Sequence, residues 1–304
     1  MLDLIIIGAG PAGLAAAQYG ARANLKVLVI EQLSAGGQAL VIDVLENYPG
    51  DVSPRSGYEF AMDMQKQAEA FGASFLFSPV LSVKKENNRF IVEMPDGSKE
   101  ACALIIATGA KPKLLGIPGE SEFSGRGVSY CATCDGNFFK GKKIFVVGGG
   151  DAACDEARYL SNLSPNVILV HRRDSLRAQK ALAKRTLENP NIQVRFNKTI
   201  KEIKGDQKVK SVVLSDTITG EINEEAADAV FIFAGTVPQS ALVLSLNAAL
   251  DEEGYIITDN KMSTNIKGLY AAGDVRAEAF RQVITAAADG ATAAHNAAKY
   301  IDEK

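Results

Sequence analysis

Leu2-Asp3-Leu4-Ile5-Ile6-Ile7-Gly8-Ala9-Gly10-Pro11-Ala12-Gly13 opens the chain, and its reading decides the fold. The run Leu2–Ile7 has the length of one buried strand. Gly8, Gly10 and Gly13 follow the pattern G-x-G-x-x-G, and the Ala-rich segment Leu14–Ala23 has helical length. Lys26–Ile30 reads as a second strand, closed by Glu31. In such a strand–turn–helix–strand unit the first glycine allows the tight turn. The second lets a pyrophosphate approach, and the third lets helix and strand pack closely. The helix N-terminus then faces the phosphates. Glu31 lies 23 positions beyond Gly8 (31 − 8), where a carboxylate can hold ribose hydroxyls. We expect a dinucleotide at this turn.

Working outward, the pattern returns once. Ile144–Val147 is a strand, Gly148-Gly149-Gly150-Asp151-Ala152-Ala153 is G-x-G-x-x-A, a helix runs to about Asn162, and Val167–Val170 is the next strand. The slot that holds Glu31 in the first unit holds His171 in the second, followed by Arg172, Arg173 and Arg177. An acid there favours a free 2′-hydroxyl, whereas arginines accommodate a 2′-phosphate. The guanidinium fork matches phosphate oxygens. The bland alternative is three solvated arginines at a helix start.

Between and after these units the elements are coarser. Gly36-Gly37-Gln38 and Asn47-Tyr48-Pro49-Gly50 mark a loop region, and residues 58–71 read as a helix with Phe60, Met64 and Phe71 near one face. Val80–Lys84 and Arg89–Met94 read as strands before a turn at Pro95-Asp96-Gly97, and Leu104–Ala107 as a strand into Thr108-Gly109. The second unit carries a similar meander around Val209–Ser215 and a strand Val230–Phe233 into Ala234-Gly235. Leu269–Ala272 leads into Gly273-Asp274, and an Ala-rich helix spans Phe280–Ile301. The two stretches form a distant internal repeat, the second inserted in the first. We therefore expect an α/β fold of two Rossmann-like dinucleotide-binding domains. Residues 1–113 and 239–304 make one discontinuous domain and 114–238 the inserted one, with linkers at Lys111–Gly119 and Thr236–Ser240.

Cys131-Ala132-Thr133-Cys134-Asp135-Gly136 stands just before the second glycine motif. Two cysteines at this spacing can close and reopen a small disulfide. The chain has four cysteines, the others being Cys102 and Cys154, and two histidines, His171 and His295. That is neither a secreted disulfide framework nor two paired zinc-ligand clusters, so no metal site is expected. Cys102 and Cys154 are expected to be buried small hydrophobes. Asp135 can supply or remove a proton at each thiol step, or cap a turn. Phe138 and Phe139 are expected in the interior rather than on a docking surface. Over 304 residues, 47% are hydrophobic and 23% charged, with net charge −3. That balance suits a two-domain globular protein with no nucleic-acid partner. The apolar runs are too short for a bilayer and no signal-peptide pattern opens the chain, so a cytoplasmic protein is expected.

Taken together, the ordered motifs resemble the bacterial-type, low-molecular-weight thioredoxin reductase family. They are Gly8–Gly13, Gly36-Gly37-Gln38, Glu46-Asn47-Tyr48-Pro49-Gly50, Ala107-Thr108-Gly109, Cys131–Gly136, Gly148–Ala153, His171-Arg172-Arg173 with Arg177, Ala272-Gly273-Asp274 and Arg281-Gln282. The resemblance implies FAD in the discontinuous domain, held by Gly8, Gly10, Pro11, Ala12, Gly13, Glu31, Gln32, Gly37, Gln38, Asn47, Val80, Ala107, Thr108, Gly109, Gly273, Asp274, Arg281, Gln282 and Val283. It implies NADPH in the inserted domain, held by Gly148, Gly150, Asp151, Ala152, Ala153, His171, Arg172, Arg173 and Arg177. Cys134 becomes the flavin-side sulfur, Cys131 the sulfur that attacks thioredoxin, and a homodimer the expected assembly. Two departures stand out: Ala39-Leu40-Val41-Ile42 is apolar where the family often carries threonines, and Gln239 follows Pro238 where Asn is common. Rival readings are an alkyl hydroperoxide reductase-type flavoprotein and a non-enzymatic flavin-binding redox sensor.

Overall fold

The computed structural model describes residues 2–303 except Asp43, Val44, Glu46 and Pro54; the expectation at Glu46 lies outside the described residues. The chain divides into two compact units, residues 1–111 with 237–304, and residues 112–236. Each is described by itself.

The first unit starts with β1 (Leu2–Ile7), α1 (Pro11–Arg22) and β2 (Val27–Glu31). A 3₁₀ turn at Gly37–Val41 leads to α2 (Gly57–Ala70) and β3 (Ser74–Phe77). A meander of β4 (Ser82–Glu86), β5 (Arg89–Met94) and β6 (Gly97–Ile106) follows, and β7 (Ala110–Pro112) carries the chain out. Among the described residues the sheet runs β3-β2-β1-β6-β5-β4, with β17 (Leu269–Ala271) of the returning segment added to β6. The long strand β6 takes two partners in turn along one edge. Phe90 pairs with Ala101 at the end of the antiparallel hairpin, and Leu104 with Leu269 in the parallel addition. β1 is covered on both faces from Leu4 onward, which explains the unbroken apolar run Leu4–Ile7. Leu4, Ile5 and Ile6 have no exposed surface, each contributing roughly 1.5–3 kcal/mol of burial.

The closing helix α6 (Val283–Asp302) packs along α1. Both are rich in Ala and Gly because their backbones nearly touch. A Cβ on Gly290 would stand 2.0 Å from the Ala12 carbonyl oxygen. The small residues in these segments therefore record a close helix crossing, not only helix propensity.

In the second unit, β8 (Val128–Ser129), the short helix α3 (Ala132–Asp135) and a 3₁₀ turn at Gly136–Phe139 precede β9 (Ile144–Gly148). Then come α4 (Asp151–Leu163), β10 (Val167–Val170), α5 (Lys180–Leu187) and β11 (Ile192–Arg195). β12 (Lys198–Gly205), β13 (Val209–Asp216) and β14 (Ile222–Ala226) form an antiparallel meander. β15 (Ala229–Phe233) ends the unit, and β16 (Thr236–Pro238) carries the chain from its last residue back into the first unit. The parallel sheet has the order β11-β10-β9-β15-β8. Its strands alternate with period two between two cores. Phe145, Ile168, Val230 and Ile232 meet Ile200, Val212 and Leu214 of the meander. Ile144, Val146, Leu169 and Phe231 meet Cys154, Ala157 and Leu160 of α4.

Several expectations needed correction. The strand expected from Val80 begins at Ser82, after Pro79 and with Val80 turned to the wall of a cavity. The last helix begins at Val283, because the backbone of Gln282 before it is extended. Cys154 is buried as expected, but Cys102 is only half-buried. It sits in the gap on β6 between the end of the β5 pairing and the start of the β17 pairing.

Candidate functional site

In the first unit the glycine turn after β1 forms one wall of a cavity of about 660 Å³. Gly8 has φ +101°, and a Cβ there would lie 2.3 Å from the Ala107 carbonyl oxygen, so only glycine fits between β1 and the end of β6. Gly13 does not line the cavity. It seats α1 on the turn, where a Cβ would meet the Gly8 carbonyl oxygen at 1.9 Å. Gly8, Gly10, Pro11, Ala12, Glu31, Gln32, Gly37, Gln38, Val80, Ala107, Thr108, Gly109, Gly273, Asp274, Arg281, Gln282 and Val283 all line the cavity. Asn47 stands one step behind, donating from Nδ2 to Gln282 Oε1 at 3.0 Å.

The walls are fixed by hydrogen bonds. The Glu31 carboxylate accepts from the backbone N–H of Ala9 at 2.9 Å, Gln32 at 2.7 Å and Leu33 at 3.2 Å. That pins the end of β2 across the glycine turn. Thr108 Oγ1 donates to the Gln239 carbonyl at 2.6 Å, and Gln239 N–H donates to Gly109 at 2.9 Å. Gln38 donates from Nε2 to the Ala110 carbonyl. At the far side, Asp289 accepts from Gly273 N–H at 3.1 Å and from Arg276 Nη1 at 2.8 Å, and Arg276 also pairs with Glu278 at 3.1 Å. Burial raises the Asp274 pKa, partly offset by the Arg281 charge and reinforced by Asp289. Arg281 lies over the Tyr255 ring at 4.1 Å, and its Nε is buried without a partner. The Arg276–Glu278–Asp289 network was not anticipated. The signal was an aspartate on the otherwise Ala-rich face of the last helix.

The second unit has its own cavity of about 390 Å³ at the second glycine turn, lined by Gly148, Gly149, His171, Arg172 and Arg177. Lys198 and Lys201 of the meander add cationic groups that the motif reading missed. His171 is buried beneath the turn: a Cβ on Gly149 would stand 2.2 Å from its Nδ1. Burial lowers its pKa, the Gly148 backbone hydrogen bond acts the other way, and Arg177, Arg173 and Arg172 lower it further. The arginine loop is tied to the turn. Arg177 N–H donates to the Gly149 carbonyl at 2.6 Å, and Asp151 accepts from Gln179 N–H at 2.7 Å and Gln179 Nε2 at 3.1 Å. Ala153 packs under Gly148. Gly150, Asp151, Ala152, Ala153 and Arg173 are not among the lining residues.

Cys131 and Cys134 form a disulfide across the first turn of α3, with their Cα atoms 5.4 Å apart. Ser129 Oγ accepts Cys131 N–H at 3.1 Å and donates to the Cys131 carbonyl at 3.2 Å. Thr133 Oγ1 lies 3.3 Å from Cys131 Sγ, and Cys134 N–H points at the same sulfur at 3.2 Å. Donors grouped on one sulfur favour its thiolate, the reactive form. Asp135 follows directly, half-buried, its N–H donating to the Cys131 carbonyl at 3.2 Å. Upstream, buried Glu120 holds the backbone at Leu115 and Gly116 and accepts from Tyr130 Oη at 2.9 Å. The expectation for the two phenylalanines splits. Phe139 packs edge-on against Phe231, but Phe138 is 79% exposed, because the 3₁₀ turn places adjacent side chains on different sides.

Comparison with known proteins gives a consistent result. The family model described as "Pyridine nucleotide-disulphide oxidoreductase" matches residues 2–290. The chain is similar to a thioredoxin reductase of Treponema pallidum, 57% identical over 300 residues, covering 99% of this chain and 97% of the relative. It is 46% identical over 302 residues to a thioredoxin reductase of Bacillus subtilis, covering 99% and 95%. Among solved structures it resembles thioredoxin reductase from Lactococcus lactis, with a TM-score of 0.94, 42% identity and 100% of both chains covered.

Proposed function

The chain belongs to the pyridine nucleotide-disulphide oxidoreductase family, and from that premise we propose that it reduces the disulfide of thioredoxin with NADPH through bound FAD. The observation that carries this reading is the Cys131–Cys134 disulfide, built into the same unit as a glycine turn rimmed by Arg172 and Arg177.

The residues fit both cofactors. FAD belongs to the first unit, residues 1–111 with 237–304, and NADPH to the second, residues 112–236. The Gly10 backbone is open toward its cavity: the nearest atom to a Cβ there is Gly37 Cα at 3.9 Å. This leaves room for a pyrophosphate over the start of α1. Glu31 can take ribose hydroxyls, and Asp274 can accept from a ribityl hydroxyl. Arg172 and Arg177 supply forked donors for a 2′-phosphate. Bound FAD accepts a hydride from the nicotinamide and hands two electrons to a disulfide.

What this chain's residues then do is thiol–disulfide exchange. The Cys131–Cys134 bond takes two electrons and breaks. Cys131 is released as a thiolate, stabilised by the donors at Thr133 and Cys134 N–H, and attacks the disulfide of thioredoxin. One thioredoxin sulfur leaves as a thiol, taking the proton that Asp135 supplies. Asp135, having given up its proton, takes the one on Cys134, and the Cys134 thiolate attacks Cys131 Sγ in the mixed disulfide, re-forming the internal bond and releasing the second thioredoxin sulfur as a thiolate that solvent protonates. Exposed Phe138 offers an apolar contact to the protein substrate.

We place the enzyme in the cytoplasm as a homodimer. Among the described residues no helix is long and apolar enough to cross a membrane. A groove between α1, α2 and α6, bordered by Tyr19, Tyr48, Phe60 and Ile284, supports a second copy as its occupant. Anaerobic NADPH titration tests the electron path. Full reduction should take two equivalents per chain in the unmodified holoenzyme and one in Cys134→Ser, one equivalent for FAD and one for the disulfide. Equal consumption by both would refute a disulfide relay.

A further inference from the structure

Behind the cysteine turn lies a carboxyl group that the reaction above does not use. Glu156 is on α4, and the backbone of Ala132 hydrogen-bonds it. Ala132 sits between Cys131 and Thr133 and is completely buried. The carboxyl oxygen Oε2 is buried without a hydrogen-bond partner. The cysteine turn is seated directly on α4, since a Cβ on Gly136 would press on Leu160 at 2.9 Å and Leu163 at 3.1 Å. A change of charge or shape at the cysteines therefore reaches Glu156 through one peptide group and a packed helix face.

We propose that Glu156 is a positioning residue for the redox pair, holding the Ala132 N–H while the disulfide is closed and binding a proton when the disulfide is reduced. The proposal rests on the reading of Cys131 and Cys134 as the redox pair. The step balances. Two electrons, delivered from NADPH, break the S–S bond. One proton goes to one sulfur, the other sulfur is left as a thiolate, and the second proton goes to the Glu156 carboxylate. A new negative charge on the turn that this half-buried carboxylate bonds raises its affinity for that proton. When Cys131 attacks a substrate disulfide, its charge passes to the departing sulfur, the Cys131 sulfur becomes neutral in the mixed disulfide, and the proton on Glu156 is released again.

The surroundings suit this role. Burial pushes Glu156 up to about 7, Asp155 adds to the rise, and the Ala132 hydrogen bond opposes it. From the elements packed against α4, the charged or titratable groups are Asp135 and the two cysteines near α3, Lys180, Lys184 and Arg185 on α5, and Arg195 on β11. The facing strands β9, β10 and β15 and the 3₁₀ turn bring none. On α4 itself lie Asp151, Cys154, Asp155, Arg158 and Tyr159. Among the described residues no salt bridge joins Glu156 to a cation, and the charge that adds to its rise is Asp155.

The test is the equilibrium between the holoenzyme and dithiothreitol buffers, without oxygen, from pH 6 to 8.5. The fraction of Cys131–Cys134 disulfide is read by thiol alkylation and mass spectrometry. At pH 6, Glu156 is mostly protonated in both redox states, so the chain and Glu156→Gln should nearly agree. As pH rises past 7 the unmodified disulfide should become harder to reduce than that of Glu156→Gln, by about eightfold at pH 8.5 if reduction raises the carboxyl pKa by one unit and by at most about thirtyfold for any larger rise. A purely structural role would shift the variant by one factor at every pH, and that result overturns the proposal. If Glu156→Gln fails to fold, infrared difference spectra of the unmodified holoenzyme at pH 7.5 decide. A protonated-carboxyl band should appear on reduction and persist in Asp135→Asn, and its absence overturns the proposal. Should Cys131–Cys134 fail to reduce at all, the reading of the redox pair falls instead.

Discussion

Gly10→Ala and Gly13→Ala differ by three positions and should fail in opposite ways. Gly10 has φ −71° and ψ −178°, a backbone any residue adopts, and the protein leaves a Cβ there 3.9 Å of room. Alanine should therefore cost the apoprotein about 0.5–1 kcal/mol, since glycine is preferred to alanine at an N-cap. The methyl group instead lies where a pyrophosphate must approach the backbone. Loss of one or two charge-assisted hydrogen bonds amounts to about 3 kcal/mol, or roughly a hundredfold in FAD Kd. Gly13 is different, because its Cβ would sit 1.9 Å from the Gly8 carbonyl oxygen and 2.9 Å from its carbon. Backbone must move by more than an ångström to reach an ordinary C···O contact of about 3.3 Å. Overpacking of this kind costs about 1–3 kcal/mol, against about 1 kcal/mol of helix propensity gained. Gly13→Ala should therefore lower the Tm of the apoprotein. Flavin-fluorescence quenching on apoprotein and thermal melts without FAD separate the two. If Gly10→Ala bound FAD normally, or if Gly13→Ala melted like the unmodified chain, the assignment of the turn would be wrong.

Arg172→Ala and Arg177→Ala should each raise KM for NADPH about tenfold, since an exposed charge-assisted contact is worth about 1–2 kcal/mol, while kinetics with NADH barely change; equal effects on both nucleotides would exclude a role at the 2′-phosphate. Phe138→Ala, at a side chain 79% exposed, should leave the melting free energy within about 0.5 kcal/mol and raise KM for thioredoxin; Phe139→Ala should cost about 2–4 kcal/mol in stability through the lost Phe231 contact. Glu278 is pushed up to about 7 by burial and then by Asp289, against the pull of Arg276. A carboxyl raised on folding contributes stability in full below its unfolded value near 4.3 and loses it as pH rises through 7. Melts from pH 5 to 8 should thus fall less steeply for Glu278→Gln, and parallel curves would contradict the shift.

The two βαβ units were legible because their glycines serve backbone geometry, which is local. Gly8, Gly13 and Gly148 stand where no side chain fits, so residue type alone reports the turn. Strands buried on both faces, such as β1 and β10, were legible from their apolar runs. β6 was seen only in part, because its first residues, Gly97-Ser98-Lys99-Glu100, are exposed and pair along an edge. β3, β11, β12 and α5 escaped because their pattern is polar or short, and only packing against neighbours defines them. At the site, cavity residues near glycine motifs were accessible, but the groups that hold them were not. Glu120 reaching Tyr130, Asp289 reaching Gly273 and Glu156 reaching Ala132 are contacts between segments distant in sequence. Nothing in a lone glutamate on an amphipathic helix announces such a partner.

The most direct test of the central claim counts NADPH oxidised against thiols formed in oxidised thioredoxin, anaerobically, with the holoenzyme at catalytic concentration. One NADPH should disappear for each thioredoxin disulfide converted to a dithiol, and Cys131→Ser or Cys134→Ser should stop thiol formation while the bound flavin is still reduced by NADPH. Thioredoxin reduction that persists in either cysteine variant, or NADPH consumption that yields no thioredoxin thiols in the unmodified enzyme, would contradict the account.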